Sequence, residues 1–158
     1  MDNAQTEVSP RPLTPASSRP ILLADDNHSD ADLFCRSLRR LGFQNPFRAV
    51  HSGEEAISYL RGEGQYANRA KFPMPHLLIL DSKMCGMSGL EVLHWVRMRR
   101  EFSALSVIIF GGSGSTVEEA AAYRLGAAAY HRKPGLSDEF DKVVGRIAEL
   151  WLLAGDRL

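Results

Sequence analysis

Five short apolar runs punctuate the chain, and between them apolar residues recur at three- and four-residue steps. The runs are Ile21-Leu22-Leu23-Ala24, Phe47-Arg48-Ala49-Val50, Leu77-Leu78-Ile79-Leu80, Val107-Ile108-Ile109-Phe110 and Ala127-Ala128-Ala129-Tyr130-His131-Arg132. Runs this short that do not alternate with polar residues suit parallel strands covered on both faces. The stripes between them predict helices. Ala31, Phe34, Leu38 and Leu41 form the first, opened by Ser29 or Asp30 and stopped by Gly42. Ala56, Ile57 and Leu60 follow the capping box Ser52-Gly53-Glu54-Glu55 and end near Gly62. Leu90, Leu93 and Val96 follow a second box, Ser88-Gly89-Leu90-Glu91. Thr116-Val117-Glu118-Glu119 caps an alanine-rich helix that closes at Gly126, and Phe140, Val143, Val144, Ile147, Leu150 and Trp151 stripe a last helix from about Ser137. Residues 64–75 read as a long loop. Repeated strand-then-helix units favour an α/β fold, a doubly wound parallel sheet with helices on both faces, since right-handed crossovers allow little else.

Composition narrows the picture. With 158 residues and 44% hydrophobic content, the chain can bury one core of ordinary size. Residues 1–19 carry Pro10, Pro12, Pro15, Ser9, Ser17 and Ser18 and almost no large apolar side chains, so they are predicted to be a disordered tail before a folded domain over 20–158. A net charge of +0 removes any global case for binding DNA or an anionic membrane, and Arg97, Arg99 and Arg100 read as a solvated helix face. No apolar run approaches the roughly 20 residues of a membrane span, which together with the absence of a signal pattern predicts a cytoplasmic protein. Cys35 and Cys85 suit reduced thiols. The five histidines lack ligand spacing and suit surface or packing roles.

The chemistry gathers at the ends of the apolar runs. Asp25 and Asp26 follow the first, Asp81 the third, and Lys133-Pro134 the fifth. In open α/β sheets ligands bind just beyond the carboxyl ends of the strands. If these strands are adjacent and parallel, the carboxylates meet at one edge, where they would repel unless a hard divalent cation and a basic group balanced them.

Taken in order, Leu22-Leu23-Ala24-Asp25-Asp26-Asn27, Pro75-His76-Leu77-Leu78-Ile79-Leu80-Asp81-Ser82-Lys83-Met84, Gly89-Leu90-Glu91-Val92-Leu93 and Gly126-Ala127-Ala128-Ala129-Tyr130-His131-Arg132-Lys133-Pro134 resemble the receiver domains of bacterial two-component response regulators. The resemblance runs from about Arg19 to Leu153. It implies a flavodoxin-like five-stranded sheet of order 2-1-3-4-5 with five helices. It further implies that Asp81 is a phosphoacceptor, served by a sensor histidine kinase or a phosphotransfer protein. Mg²⁺ would be held by Asp26, by Asp25 through water, by Asp81 and by the backbone carbonyl of Lys83. Lys133 would pair with a phosphoryl oxygen, and Pro134 would be a cis proline orienting it.

Family members also share a switch made of a hydroxyl at the end of the fourth strand and an aromatic in the fifth. Tyr130 fits the aromatic, but the hydroxyl position falls on Gly111. The loss removes one charge-assisted hydrogen bond, of order 1.5 to 3 kcal/mol. Amides of the glycine-rich loop, beginning with Gly111 and Gly112, or the hydroxyls of Ser113 or Ser115, are candidate replacements. Lys83 and Ser113 occupy the positions that in this family tune hydrolysis of the acyl phosphate, and Cys85 stands where the family usually has proline. The resemblance implies a stand-alone, chemotaxis-regulator-like signalling protein that acts through protein–protein contacts, with at most slow self-dephosphorylation rather than metabolic activity. The 62–75 insertion and the Trp151-Leu152-Leu153 extension look similar to small regulators paired with phytochrome-type sensor kinases, and the last helix offers a homodimer face. The rival reading is a receiver-fold interaction module indifferent to phosphorylation, to which Gly111 points. A flavin-binding enzyme is a third, opposed by the lack of a G-x-G-x-x-G motif after the first strand.

Overall fold

Strands β1 (Ile21–Ala24) and β3 (Leu77–Leu80) are buried at every position because each lies inside the sheet with helices over both faces. The computed structural model describes residues 18–112, 114–135 and 137–153. In it β1 pairs in parallel with β3 on one side and with β2 (Phe47–Val50) on the other. Outside β3 come β4 (Ser106–Gly111) and then β5 (Ala129–Arg132), also parallel, so the order is β2-β1-β3-β4-β5, as the resemblance implied.

Successive residues of each strand feed opposite layers. Leu22, Leu78, Leu80, Val107 and Ile109 pack with residues of α2 (Gly53–Arg61), α3 (Gly89–Arg97) and α4 (Thr116–Arg124). Ile21, Leu23, Leu77, Ile79, Ile108 and Phe110 pack with α1 (His28–Arg40) and α5 (Ser137–Ala148). Phe34, Phe110 and Phe140 meet edge to face in this second layer, with centroids 5.5 to 6.4 Å apart.

Helix starts follow the predicted chemistry at Ser52 and Ser88, whose hydroxyls accept from Glu55 N–H and Glu91 N–H. Two other starts differ. Asn27, rather than Ser29 or Asp30, caps α1 by accepting from Asp30 N–H, and Ser115, one residue before Thr116, caps α4 by accepting from Glu118 N–H. The apolar stripes also overrun their helices. Leu41 is the C-cap of α1 and 42% exposed, while Leu150 lies in a π turn over Glu149–Leu153 and is 52% exposed, because the wider turn rotates it off the core face.

The predicted solvated arginine face is corrected in part. Arg97 Nε donates to Gly126 O at 2.9 Å, and Arg99 stacks its guanidinium 3.8 Å from the Trp95 ring centre. Within 64–75, Gly64–Tyr66 forms a 3-10 turn, and Tyr66 and Phe72 pack around Tyr59. Of the predicted tail, residues 1–17 lie outside the described residues. Arg19 is buried, its guanidinium donating to Leu152 O at 2.9 Å and its carbonyl accepting from Asn45 Nδ2 at 3.0 Å. Among the described residues no helix is long and apolar enough to cross a membrane.

Candidate functional site

The carboxyl ends of β1, β3 and β5 bring their trailing residues to one edge of the sheet. Asp25, Asp26 and Asp81 each offer a carboxylate oxygen, and these oxygens lie within 4.8 Å of one another. Asp25 is 1% exposed and Asp81 7%, whereas Asp26 faces solvent. Lys133, from the end of β5, places Nζ 2.6 Å from Asp25 Oδ2 and 3.5 Å from Asp81 Oδ2. The convergence expected from the sequence is therefore present.

Backbone contacts fix these groups. Asp81 N–H donates to Ala24 O and Asp25 N–H to Val50 O, ladder bonds carried one residue past each strand. Asp25 Oδ1 accepts from Asn27 N–H, and Asp26 Oδ2 accepts from Cys85 N–H, which ties the β3–α3 loop to the acidic cluster. Lys133 N–H donates to Gly111 O at 2.8 Å. Gly89 lets α3 begin against the site, since a Cβ there would run into the Asp81 carbonyl oxygen, and Gly89 N–H donates to Ser82 O at 3.1 Å.

Electrostatics follow from this packing. Burial pushes the Asp81 carboxyl up to about 7, with neighbouring Asp25 adding to the rise, while the Lys133 ammonium and a hydrogen bond from the Lys83 backbone oppose it. Burial by itself would lower Lys133, but the hydrogen bond and charge of Asp25, with Asp81 and Asp30, outweigh it and the ammonium is raised. All three clustered ligands are hard carboxylate oxygens, a donor set that fits a small divalent cation of the Mg²⁺ or Ca²⁺ type better than a soft metal.

The remaining predicted residues are distributed as follows. Lys83 is exposed on the β3–α3 loop, and Gly112 is exposed where β4 gives way to the α4 loop. Gly111 is the buried last residue of β4. Tyr130 Oη donates to Glu118 Oε2 at 2.6 Å, joining β5 to the first turn of α4. Ser113 lies outside the described residues. Ser115 spends its hydroxyl on the α4 cap. The predicted cis bond before Pro134 is not found: no peptide bond among the described residues is cis. A trans bond is the lower-energy form for X–Pro, and Lys133 reaches the carboxylates with it.

Several contacts escaped the sequence reading. Asp30, in the first turn of α1, lies 3.1 Å from Lys133 Nζ, so the ammonium serves three carboxylates. Its spacing from Asn27 reads as helix capping and gives no signal of this. Glu54 accepts from Met87 N–H at 2.9 Å, and His28 stacks on His51 with ring centres 3.7 Å apart. Ser82, next to Asp81, is 3% exposed, and its hydroxyl has no hydrogen-bond partner among the described residues.

Comparison with known proteins bears on this arrangement. A family model described as the response regulator receiver domain matches residues 21–144. The probable methanogenesis regulatory protein FilR2 of Methanothrix harundinacea is 30% identical over 135 residues, covering 84% of this chain and 83% of that protein. The phosphorylated cyanobacterial phytochrome response regulator RcpA superposes with a TM-score of 0.80 at 28% identity, covering 87% of this chain and 96% of that one. The Mn²⁺-bound form of response regulator Rcp1, a protein of Synechocystis, gives 0.78 at 25% identity, with 85% and 95% covered.

Proposed function

The chain belongs to the response regulator receiver domain family, and on that premise we propose that Asp81 is its phosphoacceptor, beside Mg²⁺ held by Asp25, Asp26, Asp81 and the Lys83 backbone carbonyl. As a receiver-domain response regulator it is a signalling protein of two-component systems. The phosphoryl donor in this reading is a sensor histidine kinase or a phosphotransfer protein, and the similarity to RcpA and Rcp1 supports the phytochrome-type class of kinase. The observation that carries it is the meeting of three carboxylates from two strand ends, within 4.8 Å, with an ammonium 2.6 Å away.

An anionic carboxylate attacking an anionic phosphoryl group works against charge repulsion. Bound Mg²⁺ would supply the neutralisation, as a hard Lewis acid. The protein's own part is positioning and electrostatics. The end of β3 holds Asp81 in a mostly dry pocket, with the Lys83 N–H aligning its carboxylate. A carboxylate oxygen of Asp81 bonds to phosphorus as the bond from phosphorus to the donor histidine nitrogen breaks, and the electron pair stays with the departing imidazole. Lys133 Nζ, 3.5 Å from Asp81, is within reach of a phosphoryl oxygen on that carboxylate. The amides of Gly111 and Gly112 are further phosphoryl donors, and Lys83 and Ser113 would tune the slow return to the free carboxylate. Tyr130, bonded to α4 through Glu118, is the group through which the α4–β5 face senses the site. The receiver unit spans 20–158, and α5 is the proposed face for a second copy.

Incubation with acetyl phosphate and Mg²⁺, read by intact mass, tests the proposal. One added phosphoryl group on the wild type and none on Asp81→Asn is the expected outcome. Equal labelling of the two proteins, or none on either, overturns it.

A further inference from the structure

The family places a hydroxyl at the end of the fourth strand, and here that position is Gly111. β3 and β4 run in parallel with Leu80 beside Ile109, and carrying that register two steps onward sets Ser82 beside Gly111. A Cβ added at Gly111 would stand 2.5 Å from Ser82 Oγ, 3.1 Å from Ser82 Cβ and 3.2 Å from Tyr130 Oη. The hydroxyl of Ser82 therefore fills the space into which a side chain at 111 would project. It is buried, with no hydrogen-bond partner among the described residues. An unpartnered buried hydroxyl costs free energy, and proteins rarely keep one without a use.

We propose that Ser82 supplies the phosphoryl-binding hydroxyl that Gly111 lacks, donating from β3 to a phosphoryl oxygen on the neighbouring Asp81. The inference rests on Asp81 being the phosphoacceptor. The glycine is then the counterpart of the serine: the pocket between β3, β4 and Tyr130 has room for one hydroxyl-bearing side chain, and the chain carries it on the other strand. Once the acyl phosphate forms, the orphaned donor gains a charged acceptor. The same event gives the site a contact adjacent to Tyr130, through which the α4 end can respond.

The test is the affinity of the Mg²⁺-loaded protein for beryllofluoride, a phosphoryl mimic, in wild type, Ser82→Ala and the double variant Ser82→Ala with Gly111→Ser, with thermal melting of the metal-free proteins alongside. Ser82→Ala is expected to melt no lower than wild type, since it loses only an unpartnered hydroxyl, yet to bind beryllofluoride about tenfold or more weakly, the loss of one hydrogen bond to a charged group. Moving the hydroxyl to 111 in the double variant is expected to restore most of the affinity. A Ser82→Ala protein within about twofold of wild type overturns the inference while leaving the phosphoacceptor reading in place. A wild type that binds no beryllofluoride and takes no phosphoryl group overturns both.

Discussion

At the scale of single residues, Lys133 compensates Asp25, Asp30 and Asp81 at 2.6, 3.1 and 3.5 Å, yet one ammonium cannot satisfy three buried or half-buried carboxylates. Asp81 registers the imbalance, its carboxyl rising to about 7 through burial and then through Asp25. A carboxyl raised by folding favours the folded state below its unfolded value and loses that contribution as pH climbs through about 7. Without metal, Asp81→Asn should therefore melt higher than wild type at about pH 8, by about 4 °C or more, with the gain shrinking as pH falls toward 5. Thermal melts in chelator across this range check it, and identical melting at every pH would remove the electrostatic account of the pocket. Asp25 and Asp81 were legible because each follows an apolar run directly, Asp26 because it adjoins Asp25, and Lys133 because it closes the fifth predicted strand. Asp30 and Ser82 were not, since the first is masked as a helix-start acid and the second matters only through what lies beside it on β4.

At the scale of elements, what locates the site is how closely helices may approach strand ends. α3 begins against Asp81 because position 89 has no side chain, and any Cβ there meets backbone rather than a movable group. Gly89→Ala is expected to cost about 1 to 3 kcal/mol, as overpacking does, and to weaken divalent-cation binding by displacing the Asp81 backbone. Denaturant unfolding together with cation titration reads both effects, and a stable variant of unchanged cation affinity would contradict the assigned role of Gly89. The caps at Ser52 and Ser88 were legible as serine–glutamate boxes. Those at Asn27 and Ser115 were displaced because several capping residues stand in a row at each start, and composition cannot choose among them. Leu41 and Leu150 misled for the opposite reason: periodicity continues in sequence after α-helical geometry has ended at Leu41 or given way to a π turn at Leu150.

At the scale of the whole molecule, a parallel sheet with helices on both faces could be read because unalternating strands and intervening stripes leave few topologies, whereas the order β2-β1-β3-β4-β5 was implied only by the family resemblance. What could not be read is side-chain reach across the sheet edge, including the partnership of Arg19 with Leu152 that joins the first described residues to the last turn. The central claim is that the fold gathers three acids from two strand ends into a metal-assisted phosphoacceptor at Asp81. Its most direct measurement is to phosphorylate the wild type with acetyl phosphate and Mg²⁺, reduce with borohydride, and map the modified residue by peptide mass spectrometry. The account predicts homoserine at position 81, absent when a chelator is added before the phosphate donor. A borohydride-resistant phosphoserine at 82, or no modification in this peptide at all, would contradict it.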